Sequence, residues 1–565
     1  MTPRLPIGAS AALLLLAACA QPDHRAPTPE PAAPAPVTVL TPRVDAAPQA
    51  GKRALLRAEM SSAGDAYVTR PMLAPPVPQD RERYARFEDG GVLRAAETPV
   101  STFSIDVDTG AYANLRRFLR QGRLPPQDAV RVEEMINYFD YGYAPPAQRD
   151  TPFSVHTEVA PTPWNAKTHL LRIGLQGWMP TGDLPPANLV FLVDVSGSMH
   201  SADKLPLVVS SLKLLAGQLD ARDRISIVTY AGNAGVVLEP TAGDQRATIS
   251  AALDRLQAGG GTNGASGISL AYAMARQGFV KDGINRVLIA TDGDFNVGTV
   301  NFEQLMDLVE RERGDGIGLS TLGFGTGNYN DHLMEQLANR GNGSYHYIDD
   351  LAEARRALVA ARAGTLLTIA QDVKIQVEFN PAVVAEYRLI GYENRALARE
   401  DFANDRVDAG DIGAGHNVTA LYEIALVGSG GERIAPLRYG TPAATGSARE
   451  LAHLRLRYKH PGAADSRLIE TPISRQQVKA QLSQASASFR FAAAVAAFGQ
   501  QLRGGRYTGT FDTEALLALA RAARGPDAEG WRGEFLQLVQ LADSLGPLAV
   551  STDNDRECGS DERCG

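Results

Sequence analysis

The chain has 565 residues, 44% of them hydrophobic and 21% charged, which suits a multidomain globular protein with sizeable cores. Lys and Arg number 56 against 64 Asp and Glu, a formal charge of −8, so no basic stripe and no nucleic-acid partner is expected. Only Cys19, Cys558 and Cys564 are present, and the nine histidines include no HExxH pair. A disulfide-dense scaffold, a cysteine zinc site, an iron–sulfur cluster and a zinc hydrolase are therefore excluded.

Residues 1–19 read MTPRLPIGASAALLLLAAC, one arginine before an apolar run too short to span a bilayer. This is an export signal. Its end, Leu16-Ala17-Ala18-Cys19, resembles a bacterial lipobox. The resemblance implies cleavage before Cys19, lipidation of that residue and a lipid-anchored place in the cell envelope. Ala20, rather than Asp, implies the outer membrane, facing the periplasm or the surface. No later run approaches the length of a spanning helix, so the lipid is the expected membrane attachment. Residues 20–50 hold eight prolines among alanines. They predict an extended tether on the order of 95 Å, at about 3.1 Å per residue. The disordered tether is expected to run to residue 90, with some helix over 81–87.

Order is expected from near Pro99, in an N-terminal region over 91–180. A strand is predicted at 100–106, then Asp108 and Thr109 as the N-cap of a helix over 111–120. A helix over 129–138 and strands at 153–159 and 169–175 follow. Between 185 and 365, strands and helices alternate. Buried strands are predicted at 189–195, 224–230, 285–291 and 318–324, with further strands at 234–238 and 344–348. Helices fall at 204–219, 245–256, 265–276, 302–313 and 331–338. This rhythm predicts an α/β fold, a doubly wound, mostly parallel sheet with ligands outside the carboxyl ends of its strands. Strands at 372–378, 385–390, 417–426 and 450–458 form a β-rich region over 366–475. They are expected to pair with 153–175, so the α/β module is inserted in a β-rich flanking domain. Helices over 476–502 and 513–542 make a C-terminal region, 476–545, in which Phe491, Val495, Phe498 and Leu502 form a core stripe. In the flexible tail, 546–565, Cys558 and Cys564 can close a small disulfide in an oxidising compartment.

The first buried strand ends in Asp194-Val195-Ser196-Gly197-Ser198-Met199. One carboxylate and two hydroxyls thus leave a strand end on a tight loop. They are hard oxygen donors, suited to Mg²⁺, Mn²⁺ or Ca²⁺ rather than zinc. Asp292 ends another buried strand at the same sheet edge. Thr262 lies on the glycine loop Gly259-Gly260-Gly261-Thr262-Asn263. This set resembles a von Willebrand factor A (VWA) domain with a complete metal-ion-dependent adhesion site. The resemblance implies a Rossmann-like fold and a divalent cation, most readily Mg²⁺. It implies that Ser196, Ser198 and Thr262 ligate directly and that Asp194 and Asp292 act through water. An open position would receive the Glu or Asp carboxylate of a protein ligand.

The stretches 102–114, 133–139, 387–395 and 413–416 resemble the regions that flank the VWA domain in a bacterial VWA lipoprotein family, over roughly 80–545. The resemblance implies an adhesion or scaffold protein. The alternative is a non-catalytic assembly or regulatory subunit of an envelope complex. No G-x-x-x-x-G-K-[ST] is present for nucleotide. Enzyme readings are weaker. Asp108-Thr109-Gly110-Ala111 matches half of an aspartic-protease pair, with no second half. Ser196 lacks an adjacent base, since the helix start should turn His200 away. Ser104, Asp106 and Asp108 could form a second cation site, although such pairs are commonly solvated turns.

Overall fold

The computed structural model describes residues 81–105, 107–293, 302–435, 448–546 and 548. Cys19, Cys558, Cys564, Asp106, Asp294 and the tether up to residue 80 lie outside the described residues. The chain enters through β1 (Leu93–Arg94), β2 (Val100–Ser104), β3 (Phe153–Thr162) and β4 (Asn165–Gly177). The α/β module follows, with β5 (Ala187–Asp194), β6 (Arg224–Tyr230), β7 (Ala234–Ala242), β8 (Ile284–Thr291), β9 (Gly318–Phe324) and β10 (Tyr345–Ile348). The chain returns to antiparallel pairing through β11 (Thr368–Phe379), β12 (Val384–Ile390), β13 (Gly410–Gly413), β14 (Asn417–Leu426), β15 (Glu450–Lys459) and β16 (Arg467–Ser474).

β5 and β8 are buried at every position, as strands covered on both faces must be. Alternate residues of β5 feed opposite cores, because side chains repeat every two residues along a strand. Leu189, Phe191 and Val193 meet helices Leu205–Ala216 and Arg246–Asp254. Val190 and Leu192 meet helices Gly264–Gln277, Phe302–Gly314 and Asp331–Arg340. The sheet order is β10-β9-β8-β5-β6-β7, parallel except for β7 at the edge. This is the predicted doubly wound module.

Two antiparallel sheets flank it. One runs β1-β12-β14-β4-β3, the other β13-β11-β15-β16 with β2 on β11. Ile173, Leu175, Ala420 and Tyr422 of the first share a core with Ile375, Val377, Leu454 and Leu456 of the second. The expected pairing of β14 with β4 is present, so the α/β module is an insertion between β4 and β11. Helices Ala487–Leu502, Thr513–Ala523 and Trp531–Leu545 share a core with Ala160, Leu170, Ile390 and Leu421 of the first sheet. The stripe Phe491, Val495, Phe498 and Leu502 is buried there, as expected of a core face. No described helix is long and apolar enough to cross a membrane.

Several expectations are corrected. Residues 81–90, assigned to the tether, include an extended stretch hydrogen-bonded to the loop after β9, and no helix forms over 81–87. Asp108 does not cap helix Gly110–Arg120: its Oδ1 accepts from the Tyr345 N–H at 2.8 Å and its Oδ2 from Arg395 Nη2 at 3.1 Å. Thr109 is the N-cap residue, but its side chain makes no capping bond. The first turn is instead satisfied from outside, where Glu134 Oε2 accepts from the Ala111 N–H at 2.7 Å. The helix expected over 513–542 is two helices, separated at a turn containing Gly525 and Gly530, both with positive φ.

Candidate functional site

β5 and β8 run side by side and parallel, with Val193 paired to Ala290. Asp194 and Asp292 therefore emerge at one sheet edge, and both are 0% exposed. Asp194 Oδ1 accepts from the Ser196 N–H at 2.8 Å, and its Oδ2 accepts from the Thr291 hydroxyl at 2.9 Å. Burial raises the Asp194 carboxyl above its ordinary range, and the Asp292 charge adds to this. The Ser196 and Thr291 hydrogen bonds act in the opposite sense. Beside Asp194 the wholly buried Tyr230 hydroxyl is raised by burial and by the Asp194 charge.

The Ser196 and Ser198 hydroxyls lie 3.1 Å apart. Their loop is tied to the glycine loop by two backbone bonds. Gly197 donates to the Gly260 carbonyl at 3.0 Å, and Gly259 donates to the Val195 carbonyl at 2.8 Å. Gly260 takes φ +85°, a left-handed value that favours glycine. Asn263 donates to the Ala231 carbonyl at 2.6 Å, fixing Thr262 just before helix Gly264–Gln277. Thr262 is half-buried. The segments carrying Asp194, Ser196, Ser198, Thr262 and Asp292 thus meet at one end of the sheet.

Lys204, which the sequence did not single out, completes this end. Its Nζ donates to Asp292 Oδ2 at 2.9 Å and to Asn328 Oδ1 at 3.0 Å, and the residue is 6% exposed. Asn328 Nδ2 donates to the same Asp292 oxygen at 3.1 Å. Gly325, at φ +74°, lets the lysine stem pass, since a Cβ there would collide with Lys204 Cγ and Cε. The loop bearing Asn328 is held from behind: the backbone N–H groups of Arg81 and Arg83 donate to the Gly327 and Tyr329 carbonyls, each at 2.8 Å. A lysine contact across 88 residues leaves no sign in the sequence.

The donors are two carboxylates and three hydroxyls, a set that suits a hard, oxygen-binding cation. Among the described residues no cluster of three His, Cys, Asp or Glu could hold a metal. A site in which hydroxyls outnumber carboxylates has no such cluster. The enzyme readings gain nothing from the geometry. Asp108 is engaged by β10 and Arg395, and no hydrogen bond joins exposed His200 to Ser196 among the described residues. The second-cation reading depends on Asp106, outside the described residues.

Comparison with known proteins follows the same division of the chain. Residues 188–359 match the von Willebrand factor type A domain, and residues 78–172 match a family described as von Willebrand factor. Residues 364–545 match the C-terminal region of the uncharacterized protein YfbK. Over 477 residues the chain is 46% identical to the uncharacterized protein YfbK of Escherichia coli (strain K12), covering 83% of this chain and 82% of that one. The chain belongs to the YfbK family. The YfbK C-terminal match covers β11 to β16 and the three last helices. The chain is also 35% identical over 120 residues to the magnesium-chelatase 60 kDa subunit of Rhodobacter capsulatus, 20% of this chain and 21% of that one. Among solved structures, a von Willebrand factor type A protein from Catenulispora acidiphila is 15% identical with a TM-score of 0.41, covering 73% of this chain and 99% of that one.

Proposed function

We propose that this protein binds a protein partner through a divalent cation held by Asp194, Ser196, Ser198, Thr262 and Asp292. The carrying observation is the pair of fully buried carboxylates at one sheet edge, with two hydroxyls 3.1 Å apart on the loop between strand and helix. Buried carboxylates that repel each other are costly unless cations meet them, and Lys204 supplies one positive charge against two negative ones. Mg²⁺ suits the remaining donors, with Mn²⁺ and Ca²⁺ as further candidates. When bound, the cation supplies a Lewis-acidic position for a Glu or Asp carboxylate of the partner. The chain's own residues hold and orient: the Ser196 N–H and Thr291 fix the Asp194 carboxylate, and Lys204 and Asn328 fix Asp292.

The role is adhesion or scaffolding without catalysis, from a lipid anchor at Cys19 in the cell envelope. Affinity capture from envelope membranes in Mg²⁺ and in EDTA tests it. A partner retained by wild type in Mg²⁺, and lost in EDTA and in Asp194→Ala, is the expected result. Equal capture in both buffers would sink the reading. The similarity to the magnesium-chelatase subunit favours a second reading, a non-catalytic assembly or regulatory subunit. That reading predicts co-elution in a large, stoichiometric complex on sizing.

A further inference from the structure

Seven arginines are buried among the described residues: Arg116, Arg117, Arg131, Arg172, Arg286, Arg356 and Arg388. All but Arg286 have a carboxylate within ion-pair distance. Arg286 has none among the described residues. It sits on β8 and is 6% exposed. Its Nη1 donates to the Ser320 hydroxyl at 2.9 Å and the Asn342 carbonyl at 3.2 Å, both uncharged, and its Nε has no partner. A buried guanidinium without a counter-charge is costly. Carboxylate-paired Arg116, Arg117, Arg131 and Arg356 are pushed up, whereas burial lowers Arg286 to about 10. Asp411 attracts it from beyond ion-pair distance, and burial raises that carboxyl to about 7.

Arg286 lines a cavity of about 280 Å³ between the start of β8 and β9 and the start of β11. This is the sheet edge opposite Asp194 and Asp292. The cavity also takes Arg149, Asn285, Arg313, Thr368 and Gln371. Arg149 is exposed and packs over Trp178, with its guanidinium carbon 5.8 Å from the ring centroid. Arg313 is shared with Asp408 at 2.8 Å. The acid lining the cavity is Asp282, which is exposed. The cavity therefore presents the Arg286 and Arg149 guanidinium groups against the lining carboxylate of Asp282, while Arg313 is already met by Asp408 and, at 3.7 Å, by Glu310.

We infer that this cavity binds a small oxyanion, a phosphate or a carboxylate, on the Arg286 guanidinium, with Arg149 and Arg313 at its mouth. Guanidinium groups match both oxyanions through paired N–H donors. The site is separate from the cation site and does not depend on it.

Isothermal titration of the purified full chain with sodium phosphate and with sodium acetate, each against ionic-strength-matched sodium chloride, tests the inference. Saturable binding of one anion per chain is expected. Removing a charge-assisted guanidinium contact in Arg286→Gln should weaken it at least about tenfold. Arg149→Ala, at an exposed position, should weaken it less, and Asp194→Ala should leave it unchanged. Tighter phosphate binding assigns the site to phosphate groups, and tighter acetate binding to carboxylates. No saturable binding of either anion overturns the inference, as does full affinity in folded Arg286→Gln. If Arg286→Gln fails to fold, Arg149→Ala decides, and an unchanged affinity there overturns it.

Discussion

Lys204 changes what metal removal should do. With it, the end of the sheet carries Asp194, Asp292 and one ammonium, a net of one negative charge. Without it, two buried carboxylates stand together. Lys204→Met should therefore cost about 3–5 kcal/mol in EDTA, the loss seen when one partner of a buried pair is removed. Mg²⁺ should then raise the melting temperature of the variant by more than it raises wild type, because tighter binding to the folded state stabilises it more, with the logarithm of the affinity. An equal Mg²⁺ effect in both proteins would contradict this role. Asp194, Ser196, Ser198 and Asp292 could be placed from the sequence as residue types leaving strand ends, and Thr262 as a hydroxyl on a glycine loop. Lys204 and Asn328 could not, since their roles come from contacts 88 and 36 residues away along the chain.

Among the elements, the joint between the α/β module and its flanks is built from buried ion pairs. Glu353, on helix Leu351–Arg355, accepts from Arg116 Nη2 at 2.8 Å, the Tyr138 hydroxyl at 2.7 Å and Arg356 Nε at 2.8 Å. Arg116 also donates to Asp349 on the module and to Glu534 on the last helix. Burial alone would raise the Glu353 carboxyl, but Arg356 and Arg116 hold it at about 2, below its ordinary 4.5. A depressed carboxyl contributes stability above its unfolded pKa, and that stability is lost as pH falls from about 4.5 toward 2. Glu353→Gln should cost about 3–5 kcal/mol at pH 7 and flatten the acid limb between pH 5 and pH 3. Urea unfolding at these pH values measures both effects, and a parallel loss at every pH would contradict the assignment. Elements buried on both faces, such as β5 and β8, were readable to within a residue or two. β16 was not, because its outward residues are exposed and no apolar run marks it. The helical turns after β10 escaped because they are short pieces joined through a π-helical stretch, Arg356–Ala360.

At the scale of the molecule, the N-terminal strap is tied to the loop that steadies Asp292. Glu82 accepts from the Gly327 N–H at 2.9 Å and from Arg117 Nη1 at 2.8 Å. Glu82→Ala should release this loop at about 1.5–3 kcal/mol, the usual worth of hydrogen bonds to a charged group. Hydrogen exchange at the Gly327 amide should quicken, while core amides of β5 stay protected. Unchanged exchange at Gly327 would mean that the strap does not restrain the site. The insertion was legible because antiparallel partners of β4 recur after residue 366. The strap was not, because residues 81–90 carry no periodic pattern. Mn²⁺ titration calorimetry on the full chain tests directly whether a cation binds at the end of the central sheet. One Mn²⁺ per chain is predicted, weakened about 10–100-fold in Asp194→Ala, with the melting temperature of the variant in EDTA unchanged or higher. A folded Asp194→Ala that binds Mn²⁺ as tightly as wild type, or a folded wild type that binds none, would contradict that prediction.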